Sequence, residues 1–258
     1  MALRLIAGLA MALAAVGAIF YLPLFILRIL VVAVALLAAD EYLRIVSART
    51  RLPGLALVAL TCWYLPIEGM QNMLPLLLLG LGWLVIEVLW RGVSIQEASA
   101  RFLAPWYIGL PLGMLAGVHA AGGRWVTLLL LGTIVISDSA QYFTGRLLGK
   151  RPLAPAISPK KTIEGALGGV VFGVLWVVAF GMAGATYGMP GLNRDLSWRI
   201  MLGLIVVVLG IIGDLFESKL KRTSGIKDSS SLIPGHGGVL DRIDALLFAA
   251  PAFYLYMR

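Results

Sequence analysis

Apolar residues in this chain come in successive blocks of roughly 20 residues, the length a helix needs to cross the hydrocarbon core of a bilayer. In hydrocarbon every backbone N–H and C=O must be satisfied by the protein itself, which leaves helices or a closed barrel. The blocks show no alternation of apolar and polar residues, so helices are expected. They fall at 3–21, 23–39, 53–67, 71–90, 103–120, 125–148, 163–184, 198–217 and 239–257. The expected fold class is all-α: a polytopic membrane helix bundle of about nine transmembrane helices, forming a single integral membrane domain over residues 1–258. Only 13% of the residues are charged, too few to coat a soluble domain. Met1 to Phe20 has the basic residue and apolar run of a signal peptide, but eight further blocks follow, and it is read as the first span.

The charge of +8 does not point to nucleic acid, because its placement follows the membrane. Segments 40–52, 91–102, 149–162 and 218–238 hold Arg44, Arg49, Arg51, Arg91, Arg101, Lys150, Arg151, Lys160, Lys161, Lys219, Lys221, Arg222 and Lys227. The other side has Arg124, Arg194, Arg199 and Arg258. This bias predicts a cytosolic N-terminus and an external C-terminus. Cys62 is the sole cysteine, so an intramolecular disulfide and a cysteine metal site are excluded.

Polarity is uneven along the chain. Residues 1–120 read as scaffold helices and 125–258 as the working half. The densest stretch is Ser218 to Asp244, where acids and bases alternate around Gly225, Pro234, Gly235, Gly237 and Gly238. Glycine lets a backbone approach a ligand closely, so that free N–H groups can donate to phosphate oxygens. Lysine and arginine supply the countercharge, and aspartates suit a divalent cation. Two more polar stretches lie beside apolar blocks. In Ser137 to Lys150 the preceding apolar run is too short to cross alone, which draws Asp138 into the helix near its cytosolic end, where an ionisable group suggests function. Asp138, Tyr142, Gly145 and Gly149 share one helix face, and the last two form a pair that admits a neighbouring helix. In Ser158 to Gly165, Ser158 and Pro159 read as an N-cap and first helical residue, which sets Lys160 and Lys161 beside a helix N-terminus suited to anions. Asp214 ends the block before Ser218, sharing a face with Glu217 or Ser218 and with Lys221. Asp138, Asp214, Asp241 and Asp244 are thus expected at one depth, and four such acids repel unless cations join them. Magnesium is the expected ion: one or two divalent cations, with a monovalent cation left open at one position.

The pattern Ser218, Lys221-Arg222, Lys227-Asp228, Pro234-x-His236-Gly237-Gly238, Asp241-Arg242-x-Asp244 resembles the signature of the phosphatidate cytidylyltransferases, integral membrane enzymes that make CDP-diacylglycerol. The resemblance implies CTP and phosphatidic acid as substrates and Asp214 and Asp241 as the principal metal ligands, with Asp138 and Asp244 beside them. The expected catalytic residues are Asp214, Asp241, Lys227 and Arg222. Lys160, Lys161, Ser218, Lys219, Lys221, Asp228, His236, Gly237, Gly238, Arg242 and Asp138 are expected to contact substrate. It further implies a bacterial inner-membrane location with the site facing the cytoplasm; no nucleic acid is expected, and a homodimer is left open. A CTP-dependent polyprenol kinase, a transporter and a plain scaffold are the rival readings. Outside the site, Glu87 and Arg91 read as an i, i+4 pair and His119 as structural, while Arg28, inside the second block, has no assigned role beyond the option of snorkelling toward an interface.

Overall fold

The computed structural model describes residues 2–46, 48, 50–68, 73–233, 235 and 237–257; for 2–7 and 65–68 only the backbone path is described. Among the described residues the fold is helical apart from one small hairpin and an isolated bridge between Ile233 and Gly237. Helices α1 (Ala2–Tyr21), α2 (Leu24–Ile45), α3 (Leu52–Glu68), α4 (Met73–Trp90) and α5 (Ile95–Ala104) lead through a π-helical turn, Pro105–Gly109, into α6 (Leu110–Leu148). Strands β1 (Pro152–Ala154) and β2 (Ser158–Thr162) pair antiparallel, and α7 (Ile163–Thr186), α8 (Leu196–Thr223) and α9 (Leu240–Met257) complete the chain. By length and composition, four described stretches are apolar enough to cross a membrane: Met73–Trp90, Ile95–Leu148, Ile163–Thr186 and Leu196–Thr223. Gly8–Tyr21 and Leu52–Tyr64 are shorter apolar helices. The stretch Ile95–Leu148 is interrupted at Gly123, whose φ of 72° and ψ of −171° no helix accommodates. That break falls between the two blocks expected at 103–120 and 125–148.

The chain divides into two compact units, each described in turn: Met1–Gly117 with Ser224–Ile243, and Val118–Thr223 with Asp244–Arg258. In the first, α3 packs against the π turn and the start of α6 by backbone approach. A Cβ on Gly109 would lie 2.9 Å from the Val58 carbonyl oxygen, and one on Gly113 2.9 Å from that of Cys62. Lipid supplies no hydrophobic drive between helices, so packing of this kind holds them together. The linker expected at 91–102 is largely helix: Ser94 caps α5 by accepting from the Glu97 N–H at 3.3 Å. Arg101, expected as a surface base, is 2% exposed and bridges Glu87 at 2.6 Å, with Glu97 as a second partner. Glu87 therefore pairs with Arg101 and not with Arg91, which lies over the Trp83 ring, 5.3 Å from its centroid. Arg28, without a role from the sequence, finds its partner in Trp63. Its guanidinium lies 4.3 Å over the Trp63 ring and donates to the Trp63 carbonyl.

In the second unit a glycine stripe organises the packing. Gly165, Gly168, Gly169, Gly173, Gly181 and Gly184 are buried along α7. A Cβ on Gly165, Gly168 or Gly169 would press into Gln141 and Thr144 of α6, and one on Gly173 into Val207 of α8. Gly145 of α6 meets Thr162 and Gly165 and so admits the start of α7 as expected, whereas Gly149, expected on the same helix face, lies one residue past the end of α6, where the chain turns into the hairpin, and meets Thr162 from there. Helix α8 approaches α9 through Gly210 and Gly213. His119 holds Thr127 at 3.0 Å, a structural bond. Arg199, expected among the external bases, is buried and donates to the Leu192 carbonyl at 3.4 Å.

Candidate active site

The second unit gathers acids from three helices and lysines from β2. The β-hairpin turns the chain back after α6, and Glu164 pins it by accepting from the Lys150 and Arg151 N–H groups at 3.0 and 3.2 Å. Residues Ser158–Thr162 are strand, so the expected Ser158 cap is displaced by four residues. Thr162, in extended backbone, is the true N-cap and accepts from the Gly165 N–H at 3.1 Å. Lys160 and Lys161 thus precede the helix and do not lie inside it. Lys161 forms an ion pair with Asp214 of α8, the two side chains being 21% and 31% exposed. Ser218, one turn further along, donates to Asp214 at 3.4 Å. Asp138 of α6 is exposed and accepts from Gln141 at 3.0 Å. Asp244 of α9 lies within electrostatic reach of Asp214, Asp138 and Lys161, so three of the four expected acids and one expected lysine form a single charge cluster.

Helix α8 continues to Thr223, past the end expected at residue 217, so Ser218, Lys219, Lys221 and Arg222 are helical and not part of a loop. The fully buried Glu217 carboxylate takes Lys221 at 2.5 Å, one helical turn away. Lys221 is therefore occupied inside the protein, whereas Lys160, Lys219 and Arg222 are exposed.

The first unit holds the rest of the motif. Asp241, in the first turn of α9, accepts at Oδ2 from the Ser229 N–H at 3.0 Å, the Ser229 hydroxyl at 2.9 Å and the Gly238 N–H at 2.7 Å. Glu41 of α2 reaches the same loop. Its Oε1 accepts from the Ser230 hydroxyl at 2.6 Å and the Val239 N–H at 3.0 Å. Its Oε2 accepts from the Ser229 hydroxyl at 2.9 Å and the Leu240 N–H at 2.8 Å. Gly237 has a φ of +81°, a backbone state that glycine adopts without strain. A Cβ on Gly238 would collide with Ser229 Oγ and both Glu41 oxygens. What comes close at Gly238 in the folded chain is the Glu41 carboxylate and the Ser229 hydroxyl. The Gly238 N–H, expected to face a phosphate, is taken by Asp241. Lys227, Asp228 and Arg242 are exposed; Pro234 and His236 lie outside the described residues.

Glu41, Ser229, Ser230 and Glu217 are the residues the sequence reading left without a role. Glu41 sits two residues past the block expected at 23–39, in a helix that runs on to Ile45, where a carboxylate is costly to bury without partners. That cost was the available signal, but its partners lie 188 to 199 residues away.

Comparison with known proteins agrees with the motif. A model of the cytidylyltransferase family matches residues 2–258. A phosphatidate cytidylyltransferase of Bacillus subtilis (strain 168) is 34% identical over 241 residues, covering 89% of this chain and 87% of that protein. Two enzymes of the same name match over shorter stretches. That of Helicobacter pylori (strain ATCC 700392 / 26695) is 41% identical over 155 residues, 60% of this chain and 54% of the relative. That of Aquifex aeolicus (strain VF5) is 47% identical over 152 residues, 59% and 54%. Against these two the chain spans about half of the relative's length.

Proposed function

The chain belongs to the cytidylyltransferase family, and from that footing we propose that it is a phosphatidate cytidylyltransferase, transferring CMP from CTP to phosphatidic acid. The observation that carries the reading is the near full-length likeness to the Bacillus subtilis enzyme, beside a family match over residues 2–258 that takes in the segment from Ser218 to Asp244. An oxygen of the phosphatidic acid phosphate attacks the α-phosphorus of CTP. The α–β phosphoanhydride bond breaks, and pyrophosphate leaves with the bonding electron pair, giving CDP-diacylglycerol. A phosphate monoester has a second pKa near about 6, so the nucleophile arrives ionised and needs no general base. Positioning and charge neutralisation are then the protein's main tasks.

The chain's own residues suit those tasks. Lys160, Lys219, Arg222 and Lys227 are exposed cations that can meet the triphosphate and the departing pyrophosphate. Lys161, paired with Asp214, brings a further cation against the acidic cluster. Asp138, Asp214 and Asp244 of the second unit offer the hard oxygen donors that magnesium prefers, and Asp241 in the first turn of α9 is a carboxylate of the same kind in the first unit. Among the described residues no three His, Cys, Asp or Glu side chains converge as a ready-made cage. The donor set still fits, because magnesium keeps several waters and takes its remaining ligands from substrate phosphate. When bound, the ion would neutralise phosphate charge in the in-line displacement. The proposal includes nine crossings in the bacterial inner membrane, a cytoplasmic N-terminus and site set by the lysine and arginine bias, and a homodimer as an open arrangement.

The test is to supply purified protein with magnesium, phosphatidic acid and CTP labelled in the cytidine, and to follow both products. A lipid-soluble cytidine product with an equal amount of pyrophosphate is expected. Release of CDP with a newly phosphorylated lipid would make the protein a kinase instead, and no conversion of either kind would overturn the reading.

A further inference from the structure

Glu41 lies in the half of the chain where the sequence offers no chemistry, yet it is 4% exposed and grips the motif loop. A buried carboxylate is tolerated only when it is hydrogen-bonded, and here each oxygen receives one N–H and faces one hydroxyl, Ser230 at Oε1 and Ser229 at Oε2. The N–H donors are those of Val239 and Leu240, at the positive end of α9. The hydroxyl of Ser229 lies 2.9 Å from Glu41 Oε2 and 2.9 Å from Asp241 Oδ2. One hydroxyl proton can serve one acceptor at a time, so this serine sits directly between the two acids. Its own N–H stays on Asp241, and the Gly238 N–H joins it there.

We propose that Glu41 is a positioning residue for Asp241: it clamps the Ser229–Ser230 turn to the first turn of α9 and thereby fixes how the Asp241 carboxylate is presented. The inference rests on the reading of Asp241 as a functional carboxylate. Gly238 is where the clamp closes, because any side chain there would strike Glu41 and Ser229 together. Glutamine cannot replace Glu41 without loss. Whichever way its amide turns, the NH2 group faces the N–H of Val239 or that of Leu240.

The experiment compares Glu41→Gln, Asp241→Asn, the double variant and Ser229→Ala, all in the full chain, by kcat, by KM for CTP and phosphatidic acid, and by melting temperature in detergent. Glu41→Gln should lower kcat by on the order of 10- to 100-fold, the scale of a misplaced reacting group, with both KM values within about twofold. In the Asp241→Asn background the same substitution should cost less than about twofold more, since the group it positions is already disabled. Wild-type kcat in a folded Glu41→Gln protein would sink the inference alone, as would an equal loss in both backgrounds. Wild-type kcat in Asp241→Asn would sink the reading of Asp241 and this inference with it. Should Glu41→Gln not fold, Ser229→Ala decides: it keeps the N–H on Asp241 and removes the hydroxyl between the two acids. Lowered kcat at an unchanged melting temperature supports the clamp, and unchanged kcat overturns it.

Discussion

Asp241→Asn separates charge from architecture. Asp241 Oδ2 accepts from Ser229 N, Ser229 Oγ and Gly238 N, and an asparagine carbonyl oxygen can occupy that same position. The loop therefore keeps its anchor. What falls is the strength of each bond: a hydrogen bond to a charged group contributes roughly 1.5–3 kcal/mol and a neutral one roughly 0.5–1.5 kcal/mol. A loss near 1 kcal/mol for each of the two N–H donors, and for the Ser229 hydroxyl only while its one proton lies on Asp241 and not on Glu41, comes to about 2–3 kcal/mol, against a typical folding stability of about 5–15 kcal/mol. The variant should fold, with a lowered melting temperature. Turnover should fall by at least about 10²-fold, the scale for removing one group that stabilises developing charge. The assay is formation of labelled lipid from cytidine-labelled CTP, at saturating substrate, per unit of folded protein. Asp241→Ala is the contrast: it orphans the Ser229 and Gly238 N–H groups and should cost stability as well as turnover. A folded Asp241→Asn protein that turns over within about threefold of wild type would refute the assignment of this carboxylate, since the expected loss is on the order of 10²-fold.

Asp214→Asn removes the ion-pair partner of Lys161 but leaves an oxygen for the Ser218 hydroxyl. Because the pair is partly solvated, stability should change by no more than about 1 kcal/mol, while turnover falls by at least about 10²-fold; wild-type turnover would remove Asp214 from the site. Gly238→Ala should abolish turnover and lower the melting temperature, because its Cβ would displace the Glu41 carboxylate from the loop; normal activity would show that the loop can yield there. Arg101→Ala leaves Glu87 charged in a fully buried position. Breaking such a pair costs about 3–5 kcal/mol, so a large drop in thermal stability in detergent is expected, and an unchanged melting temperature would contradict the burial of the pair.

Local pattern carried the sequence reading where local physics decides the outcome, and failed where a distant partner does. The apolar blocks became helices, Gly145 admitted the start of α7, and Asp138 lay within α6, because each depends on residues within a few turns. The Glu87–Arg91 pair was misread because an intrahelical pair contributes only about 0.2–0.5 kcal/mol. A buried Glu87 without Arg101 would forfeit several times that, so the contact 14 residues away wins. The Ser158–Pro159 cap was misread for a similar reason. Pairing of β1 with β2 sets Ala154 opposite Ser158 and Pro152 opposite Thr162, and the helix can start only after the hairpin ends. The glycines show the limit most clearly. A glycine beside cations suits an N–H cradle for phosphate, and the same residue suits any close approach. Only the fold reveals that Glu41, some 199 residues from Leu240, fills the space that Gly238 leaves open. A pattern of residue types can thus mark where a backbone must be bare, while the identity of the group that presses against it is decided by tertiary structure.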